Sequence, residues 1–288
     1  MSGSPELDAA LVEALADFAA HDRVLVATDF DGVLAPLVVD PMDSRPVEGG
    51  MPALTSLADL PDTTVALVSG RALDPLRELS GAAHDGPLVL IGSHGAEDSR
   101  AEGGLALDDD QQALLGTLDE ELAAMREEHP GLRVEDKPAG RVVHTRGLPD
   151  EEARSALDAA RELGARHTSL EVTPGKGVVE LAAAHVGKGV ALLALADEVG
   201  AQAVFYAGDD LTDEHGFQAL ADDTDAARAQ RRLTVHVGDG DTQARFRVAD
   251  EEAMVALLQA LLAARRERRP RTALTPSPRP APITDRAP

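Results

Sequence analysis

The stretch VLVATDFDGVLAP, residues Val24 to Pro36, decides the fold of this chain. It starts with five apolar or small residues, a run typical of a strand that is buried on both faces of a parallel sheet. Two carboxylates, Asp29 and Asp31, follow directly, and Gly32 allows the backbone to turn sharply behind them. The stretch therefore predicts a buried strand that ends in an acidic pair.

Further apolar runs repeat this arrangement along the chain. TTVALVSG, GPLVLIGSHG, AQAVFYAGDD and LTVHVGDG are typical of strands, and helical patterns such as MPALTSLADL and KGVALLALADEVG lie between them. This alternation predicts an α/β fold with a doubly wound, Rossmann-like parallel sheet, whose ligands bind at the carboxyl ends of the strands. The polar residues predicted at these ends are Asp29, Asp31, Ser69, His94, Asp209 and Asp210.

Residues 103–184 differ in pattern from the rest of the chain. LRVEDKPAGRVVHTRG alternates apolar and polar residues around Pro138-Ala139-Gly140, which predicts a hairpin with one solvated face. Helical patterns at 110–128 and 150–164 flank it, and HTSLEVTPGKGVVELAA predicts two further short strands. We therefore expect a core domain from 1–102 and 185–264, an inserted α+β cap domain at 103–184, and a disordered Arg- and Pro-rich tail at 265–288.

The composition excludes several classes of function. Aromatic residues make up 2% of the 288 residues, which argues against nucleic-acid binding by base stacking, and the net charge of −24 opposes nucleic acid and anionic membranes. The chain has no cysteine and no apolar run long enough to span a bilayer, and its N-terminus is typical of an amphipathic helix. We expect a cytoplasmic monomer that binds a small molecule and has no nucleic-acid or membrane partner.

A second acidic cluster follows another predicted strand, in the stretch YAGDDLTDE. It adds Asp209, Asp210 and Asp213. Each cluster alone also has a structural interpretation, because Asp and Gly favour turns and Thr212 could cap a helix with Asp213 in its first turn. If the clusters meet at one edge, their carboxylates must take up protons or bind a cation. Oxygen ligands without cysteine or a histidine pair favour Mg²⁺.

Two features would complete an anion site at this edge. Ser69 and Gly70 lie between a predicted strand and a helix start, where free N–H groups and a hydroxyl favour an anion, although such turns are common. Lys188 lies at the start of a helical pattern, where a cation opposes the helix dipole and needs an acidic or phosphate partner. A solvated lysine is the alternative interpretation.

Seven motifs resemble one enzyme family over residues 20–250. DFDGVLAP, LVSGR, GKGVAL and GDDLTDE are similar to the four motifs of the haloacid dehalogenase superfamily of phosphohydrolases. GSHGAE, VEDKPAGRVVHTR and GKGVVE resemble the trehalose-6-phosphate phosphatases within that superfamily. The resemblance implies a Mg²⁺-dependent phosphatase that hydrolyses trehalose 6-phosphate to trehalose and phosphate through an aspartyl-phosphate intermediate.

The resemblance also implies roles for the acidic residues. Asp29 would be the nucleophile, and Asp31 would protonate the leaving sugar oxygen and then activate water. Asp29, the backbone carbonyl of Asp31 and Asp209 would hold Mg²⁺. Asp210 and Asp213 would support the metal site from nearby.

Further residues are implied in binding the two ends of the substrate. Ser69, Gly70 and Lys188 would bind the phosphoryl group. The residues implied in contacts with the sugar or in closing the cap are His94, Glu97, Glu135, Lys137, His144, Arg146, Lys176 and Glu180.

Departures from the family pattern leave the substrate open. Leu181-Ala182-Ala183 follows Glu180, where relatives often carry an Arg-Pro pair, and Val33 stands where many have Thr. Another sugar phosphate, such as sucrose 6-phosphate or mannosyl-3-phosphoglycerate, is the alternative within the same class. A non-enzymatic phospho-receiver-like domain would not explain the insertion. A catalytically inactive sugar-binding module would not explain why the acidic residues and Lys188 are intact.

Overall fold

The computed structural model describes residues 8–101, 107–175, 177–183 and 187–268. The strands, in chain order, are β1 (Val24–Thr28), β2 (Thr63–Val68), β3 (Val89–Gly92), β4 (Glu97–Asp98), β5 (Arg133–Lys137), β6 (Gly140–His144), β7 (Glu171–Gly175), β8 (Val178–Ala182), β9 (Ala203–Gly208), β10 (Leu233–Val237) and β11 (Phe246–Val248). The α-helices are α1 (Ala9–Ala19), α2 (Gly50–Ala58), α3 (Leu73–Ser80), α4 (Asp109–Glu128), α5 (Asp150–Arg166), α6 (Lys188–Glu198), α7 (Leu211–Ala221), α8 (Ala226–Gln230) and α9 (Glu251–Glu267). Within these described ranges, no helix combines the length and the apolar character that crossing a membrane requires.

Seven strands form the larger sheet, in the order β11-β10-β9-β1-β2-β3-β4. All neighbours pair in parallel except β3 and β4, which are antiparallel. The predicted parallel sheet is therefore confirmed, whereas the edge strands β4 and β11 were not predicted. They contain two and three residues, which is too short for a periodic signal.

β1 lies inside the larger sheet and is buried on both faces, as its apolar sequence predicts. Val24 and Val26 pack in one core cluster with residues of α1, α2 and α9. Leu25 and Ala27 pack in another cluster with residues of α6 and α7, because successive side chains of a strand point to opposite faces. Helices thus cover both faces, and polar residues gather at the carboxyl ends of the strands.

The smaller sheet has four antiparallel strands in the order β5-β6-β8-β7. Lys137 pairs with Gly140 across a turn formed by Pro138 and Ala139, so the predicted hairpin is confirmed. The junctions predicted between core and cap, at 102/103 and 184/185, lie outside the described residues, and these boundaries stay a prediction.

The two faces of the smaller sheet differ in polarity. One face packs Val143, Val179 and Leu181 against residues of α4 and α5 in a separate hydrophobic core. Residues that pair across neighbouring strands point to the same face. The polar side chains on the opposite face, which we call the cap face, belong to Arg133, Glu135, Lys137, His144, Glu171, Thr173 and Glu180.

The C-terminal tail does not begin at Arg265 as predicted. α9 continues to Glu267, and the Arg265 side chain is buried. Its guanidinium donates hydrogen bonds to the carbonyl oxygens of Ala19 at 2.9 Å and His21 at 2.6 Å, and to Thr63 Oγ1 at 2.8 Å. These acceptors are distant in sequence, so an Arg-rich pattern alone does not reveal them. Residues 269–288 lie outside the described part of the chain.

Candidate active site

Asp29 follows β1 directly at the carboxyl edge of the larger sheet. Its backbone N–H donates to the carbonyl oxygen of Ala207 in β9 at 2.9 Å, which extends the pairing of the two strands to this residue. The carboxylate is 6% exposed. Its Oδ1 accepts a hydrogen bond from the Phe30 N–H at 2.6 Å, and its Oδ2 accepts one from Lys188 Nζ at 2.7 Å. Strand pairing and two donors therefore fix this carboxylate.

Lys188 is the first residue of α6, and its side chain is 1% exposed. Its ammonium donates to Asp29 Oδ2 and to Asp213 Oδ1, both 2.7 Å away. Burial acts to lower the pKa of Lys188, but the two carboxylates outweigh burial and raise the pKa. The acidic partners needed by a cation at a helix start are thus present. An ammonium has about three N–H donors, so one is left for a further acceptor.

Asp213 is completely buried, and both of its carboxylate oxygens accept hydrogen bonds. Oδ1 accepts from Lys188 Nζ and from the Tyr206 hydroxyl. Oδ2 accepts from the N–H groups of Asp209 at 2.9 Å and Asp210 at 3.2 Å. Asp213 therefore anchors the turn that carries the other two acids. Tyr206 was not predicted as a site residue, because in sequence it looks like one more buried residue of β9.

Asp210 caps α7. Its Oδ1 accepts hydrogen bonds from the Asp213 N–H at 3.0 Å and from the Thr212 hydroxyl at 2.7 Å. Burial acts to raise the pKa of Asp210, but Lys188 and these hydrogen bonds lower it. The alternative interpretation, in which Thr212 caps the helix, is wrong, because Asp210 is the cap and Thr212 lies inside α7.

The two acidic clusters meet, as the sequence predicts for the ends of parallel strands. Gly32 has a φ of +68°, and a Cβ at this position would lie 2.0 Å from Asp209 Oδ2. The turn behind Asp29 therefore packs directly on the Asp209 carboxylate. No side chain fits between them, so glycine is needed here for both its backbone conformation and its size.

Three carboxylates of the site lie close enough to share a cation. Oxygens of Asp29, Asp209 and Asp213 lie within 4.8 Å of one another. Since four donors already occupy Asp213, the oxygens left for a cation belong to Asp29 and Asp209.

The pKa values of Asp29 and Asp209 are raised because the carboxylates are buried and lie close together. Burial raises the pKa of Asp29 well above its usual value, while Lys188 opposes the rise and Asp213 adds to it. Burial and the Asp213 and Asp210 carboxylates raise the pKa of Asp209 to about 7, against the effect of Lys188. A hard divalent cation would relieve this crowding of negative charge, so the oxygen donors fit Mg²⁺.

The Asp31 carboxylate belongs to a different set of contacts. Arg71 Nε and Nη2 donate to its Oδ2 at 2.6 Å and its Oδ1 at 2.7 Å. The Ser44 hydroxyl adds a hydrogen bond to Oδ1 at 3.0 Å. Neither partner was predicted as a site residue, although Arg71 ends the LVSGR motif. Arg71 and Ser44 lie 40 and 13 residues from Asp31 in the sequence, so no local sequence pattern indicates these contacts.

The turn of Ser69 and Gly70 lies between β2 and α3, and His94 packs on it. Ser69 is buried. A Cβ at Gly70 would lie 2.6 Å from the His94 ring, so this glycine leaves the space that the ring occupies. Ser93 and His94 have left-handed φ angles of 48° and 56°, a strained conformation that directs the ring. Burial, together with Lys188, lowers the pKa of His94, which keeps the imidazole neutral near pH 7.

Glu97 supports the His94 loop from behind. Its Oε2 accepts hydrogen bonds from the Ser93 hydroxyl at 2.6 Å and from the Leu73 N–H at 3.2 Å. It lines neither of the two cavities at the site. The structure therefore places this predicted sugar-binding residue where it supports the loop and does not reach a ligand directly.

Four predicted sugar-binding residues pair with one another on the cap face. Lys137 Nζ lies 3.0 Å from both carboxylate oxygens of Glu180. His144 Nε2 lies 2.8 Å from Glu135 Oε2. All four side chains remain partly exposed. The structure thus brings these residues together on one surface.

One other predicted sugar-binding residue, Arg146, is not on a strand of this face. Arg146 lies in an exposed turn after β6 ends at His144, so the predicted continuation of the strand to Arg146 is wrong. Lys176 lies outside the described residues.

Two cavities adjoin at the carboxyl edge of the larger sheet. A cleft of about 450 Å³ is lined by the Asp29, Asp31 and Asp209 carboxylates. A larger cavity of about 850 Å³ lies between the cap face and the core. Gly70, His94 and Lys188 line both cavities. The larger cavity is also lined by three residues that the sequence analysis missed, Glu171, Thr212 and His215.

Comparison with known proteins identifies the family of this chain. A family model described as trehalose-phosphatase matches residues 27–252, which is most of the chain. The chain belongs to the trehalose-phosphatase family. The trehalose-phosphate phosphatase of Mycolicibacterium paratuberculosis is 35% identical over 229 residues, or 76% of this chain and 57% of that protein. This family member spans a third to 57% of the length of the first curated relatives that it matches.

Solved structures show the same fold. Trehalose-6-phosphate phosphatase from Aspergillus fumigatus aligns with a TM-score of 0.71 at 26% identity, covering 91% of this chain and 100% of that chain. A haloacid dehalogenase-like hydrolase from Bacteroides thetaiotaomicron aligns with a TM-score of 0.54 at 13% identity, covering 82% of this chain and 98% of that chain. This member of the trehalose-phosphatase family therefore has the expected haloacid dehalogenase-like α/β core with a cap.

Proposed function

We propose that this chain is a Mg²⁺-dependent phosphatase that hydrolyses trehalose 6-phosphate to trehalose and phosphate through an aspartyl phosphate at Asp29. One observation carries the proposal. The buried pair of Asp29 and Lys188 faces a cleft that adjoins the cavity under the cap face. A phosphoryl group bound in the cleft leaves its sugar in the larger cavity. Membership of the trehalose-phosphatase family supports the same assignment.

Asp29 is the nucleophile in this proposal. One of its carboxylate oxygens bonds to phosphorus as the bond from phosphorus to the sugar oxygen breaks. The Phe30 N–H and the Lys188 ammonium already orient the carboxylate, so little further ordering is needed before attack. Lys188 also opposes the rise in the pKa of Asp29 that burial causes, which favours the ionised, nucleophilic form.

Lys188 and Ser69 bind the oxygens of the transferring phosphoryl group. Lys188 has one ammonium N–H that is not used by Asp29 or Asp213, and Ser69 has a buried hydroxyl in the wall of the cleft. Both groups are held in place before substrate arrives, and such fixed donors stabilise the charge of the transition state. The Gly70 main chain completes this part of the cleft.

Asp29, Asp209 and the backbone carbonyl of Asp31 are the residues that would hold Mg²⁺. When bound, the cation neutralises negative charge on the carboxylates and on the phosphoryl oxygens. Asp213 accepts a hydrogen bond from the main-chain N–H of Asp209 and so holds the turn in place. Asp210 caps the helix that follows. Both residues support the metal site in this proposal without being metal ligands.

Asp31 exchanges protons with the leaving sugar oxygen and with the attacking water. It protonates the sugar oxygen in the first step and takes a proton from water in the second, when water attacks the aspartyl phosphate and inorganic phosphate leaves. Its carboxylate lines the cleft and is 26% exposed, which leaves it accessible to both oxygens.

The cap face binds the sugar in this proposal. Glu135 and Glu180 offer acceptors to sugar hydroxyl groups, Lys137 offers donors, and the cavity of about 850 Å³ gives room for a disaccharide. Arg146 would reach the sugar from the turn after β6, and Lys176 is also predicted to contact it. The cap domain of 103–184, the cytoplasmic location and the monomeric state expected from the sequence stay predictions.

A substrate panel tests the proposal. Phosphate release is measured from trehalose 6-phosphate, sucrose 6-phosphate, mannosyl-3-phosphoglycerate, glucose 6-phosphate and p-nitrophenyl phosphate, with Mg²⁺ and with EDTA. We expect trehalose 6-phosphate to have the highest kcat/KM and EDTA to abolish turnover. Asp29→Asn should abolish turnover of every ester, whereas the control Asp59→Asn, an exposed residue at the end of α2, should not.

Other outcomes would redirect the assignment. Equal kcat/KM for trehalose 6-phosphate and p-nitrophenyl phosphate would contradict the substrate. A preference for sucrose 6-phosphate or mannosyl-3-phosphoglycerate would replace it. Retained turnover in Asp29→Asn would contradict the covalent mechanism.

A further inference from the structure

The Asp31 carboxylate is held by three hydrogen bonds. Arg71 Nη2 and the Ser44 hydroxyl both donate to Oδ1, at 2.7 Å and 3.0 Å, and Arg71 Nε donates to Oδ2 at 2.6 Å. An ionised carboxylate has about four acceptor positions, two on each oxygen. The three donors therefore fill both positions on Oδ1 and leave one open position, on Oδ2.

Arg71 is itself fixed on the wall of the cleft. Its carbonyl oxygen accepts a hydrogen bond from the Ser93 N–H at 2.7 Å, and its guanidinium lies 6.0 Å from the centre of the Phe30 ring. The side chain is 13% exposed, against 26% for Asp31. A planar guanidinium that binds both oxygens sets the rotation of a carboxylate as well as its position. Arg71 thus determines which way the open position on Oδ2 points.

We propose that Arg71 is a positioning residue that, with Ser44, directs the open acceptor position on Asp31 Oδ2 toward the sugar oxygen of the bound phosphate ester. This inference deepens the proposed function and rests on it. In the first step, Asp29 bonds to phosphorus as the bond from phosphorus to the sugar oxygen breaks, and that oxygen takes the proton that Oδ2 carries at this position before the step. In the second step, water gives a proton to Oδ2 as its oxygen bonds to phosphorus and the bond to Asp29 breaks. One oxygen serves both transfers, because Oδ1 has no open position.

A different role for Arg71 would be to bind the phosphoryl oxygens directly. Its Nε and Nη2 atoms already bond to Asp31, which argues against that role. Two kinds of ester separate the possibilities. A sugar oxygen needs a proton in order to leave, whereas p-nitrophenolate is a stable anion that leaves without one. Loss of a positioned Asp31 lowers kcat/KM for the sugar ester alone, because kcat/KM covers the steps up to formation of the aspartyl phosphate. Hydrolysis of that intermediate is common to both esters, so its slowing can lower kcat for both without changing kcat/KM. Loss of a phosphate-binding group lowers kcat/KM for both esters.

The test compares kcat and KM of the wild type with those of Arg71→Gln, Arg71→Lys and Ser44→Ala, on trehalose 6-phosphate and on p-nitrophenyl phosphate. For Arg71→Gln, we expect kcat/KM on trehalose 6-phosphate to fall by about 10- to 100-fold, through kcat and not KM, because general acid catalysis acts in the transition state. On p-nitrophenyl phosphate, kcat/KM should stay within about threefold. Arg71→Lys and Ser44→Ala should each show a smaller loss with the same selectivity, since each retains some of the hydrogen bonds.

Arg100→Gln is the matched control. Arg100 makes an equivalent pair with Asp98, from Nε to Oδ1 at 3.0 Å and from Nη2 to Oδ2 at 2.6 Å, and lines neither cavity of the site. Its kinetics should match the wild type on both esters.

Wild-type turnover of the two esters tests the proposed function separately. With that turnover present, equal losses of kcat/KM on both esters in Arg71→Gln, or a change confined to KM, would overturn the inference and leave the phosphatase proposal intact. If Arg71→Gln does not fold, Ser44→Ala decides the matter, since it keeps the ion pair. A loss of kcat/KM confined to trehalose 6-phosphate supports the inference, and no loss or an equal loss of kcat/KM on both esters overturns it.

Discussion

Lys188 Nζ lies 2.7 Å from Asp213 Oδ1, and both side chains are buried. The contact joins the start of α6 to the first turn of α7. It places the Asp213 carboxylate against an ammonium that also contacts Asp29. Asp213 therefore acts on the site through its neighbours. Its removal should disturb stability and catalysis together.

Asp213→Asn tests this connection. We expect the free energy of unfolding to fall by about 3–5 kcal/mol, the range for breaking a buried ion pair at one partner. Tyr206→Phe removes one hydrogen bond to the same carboxylate and should cost about 1 kcal/mol. Denaturant unfolding of both variants measures the difference. If Asp213→Asn were no less stable than Tyr206→Phe, the ion pair would not be the main anchor of this turn.

Gly32→Ala should damage the metal site more than the fold. A Cβ at this left-handed position would lie 2.0 Å from Asp209 Oδ2, so the carboxylate must move. Gly81→Ala is the control, because Gly81 has a φ of +69° with nothing within 4 Å of a Cβ. Both variants should lose about 1–2 kcal/mol from the left-handed backbone. Only Gly32→Ala should weaken Mg²⁺ binding, measured by calorimetry; equal Mg²⁺ affinities would contradict the contact.

The stability of the metal-free protein should depend on the protonation of Asp209. Its pKa is raised to about 7, so the folded protein binds this proton more tightly than the unfolded chain, whose Asp titrates near about 4. Lowering the pH from about 8 to about 5 therefore favours the folded state through this group. We expect Mg²⁺ to raise Tm more at pH 8 than at pH 5.5, because the cation must displace the proton at lower pH.

Asp209→Asn is the control for that pH effect. It removes the titrating group, so the contribution of Asp209 to the pH dependence of Tm in EDTA should disappear. An unchanged profile in this variant would show that other carboxylates cause the dependence.

The cap face should control sugar binding and not phosphoryl transfer. Glu180→Gln should raise KM for trehalose 6-phosphate by about 10-fold or more, since a hydrogen bond to a charged group contributes about 1.5–3 kcal/mol. Turnover of p-nitrophenyl phosphate should not change. Arg141→Gln is the control, because Arg141 pairs with Asp119 at 2.6 Å and its position in β6 is on the opposite face. An equal rise in KM for both variants would indicate general damage to the cap.

The elements that the sequence predicted share a strong local signal. β1 and β9 are continuous apolar runs, and the β5–β6 hairpin has alternating residues on either side of a Pro-containing turn. The acids that follow β1 and β9 could therefore be assigned to one edge of the sheet. Edge strands of two and three residues have no such pattern.

The missed features depend on contacts between distant residues. Arg71 pairs with an acid 40 residues earlier in the chain, and Arg265 binds carbonyl oxygens near the opposite terminus. The four donors that occupy Asp213 are also invisible in the local sequence pattern, and only the family resemblance distinguished its supporting role from that of Asp209. The composition assigned Arg265 to a disordered Arg- and Pro-rich tail, whereas its neighbours in space make it a buried hydrogen-bond donor.

The polar and the apolar residues of the smaller sheet lie on opposite faces, so they are under different evolutionary constraints. Glu180 alternates along β8 with Val179 and Leu181, whose side chains fill the core against α4 and α5. Replacement of a residue on the polar side leaves that core intact, so mutational drift there is tolerated by the fold. Under the proposed function, a lineage of such proteins can thereby exchange one carbohydrate for another while the chemistry proposed for Asp29 is inherited unchanged.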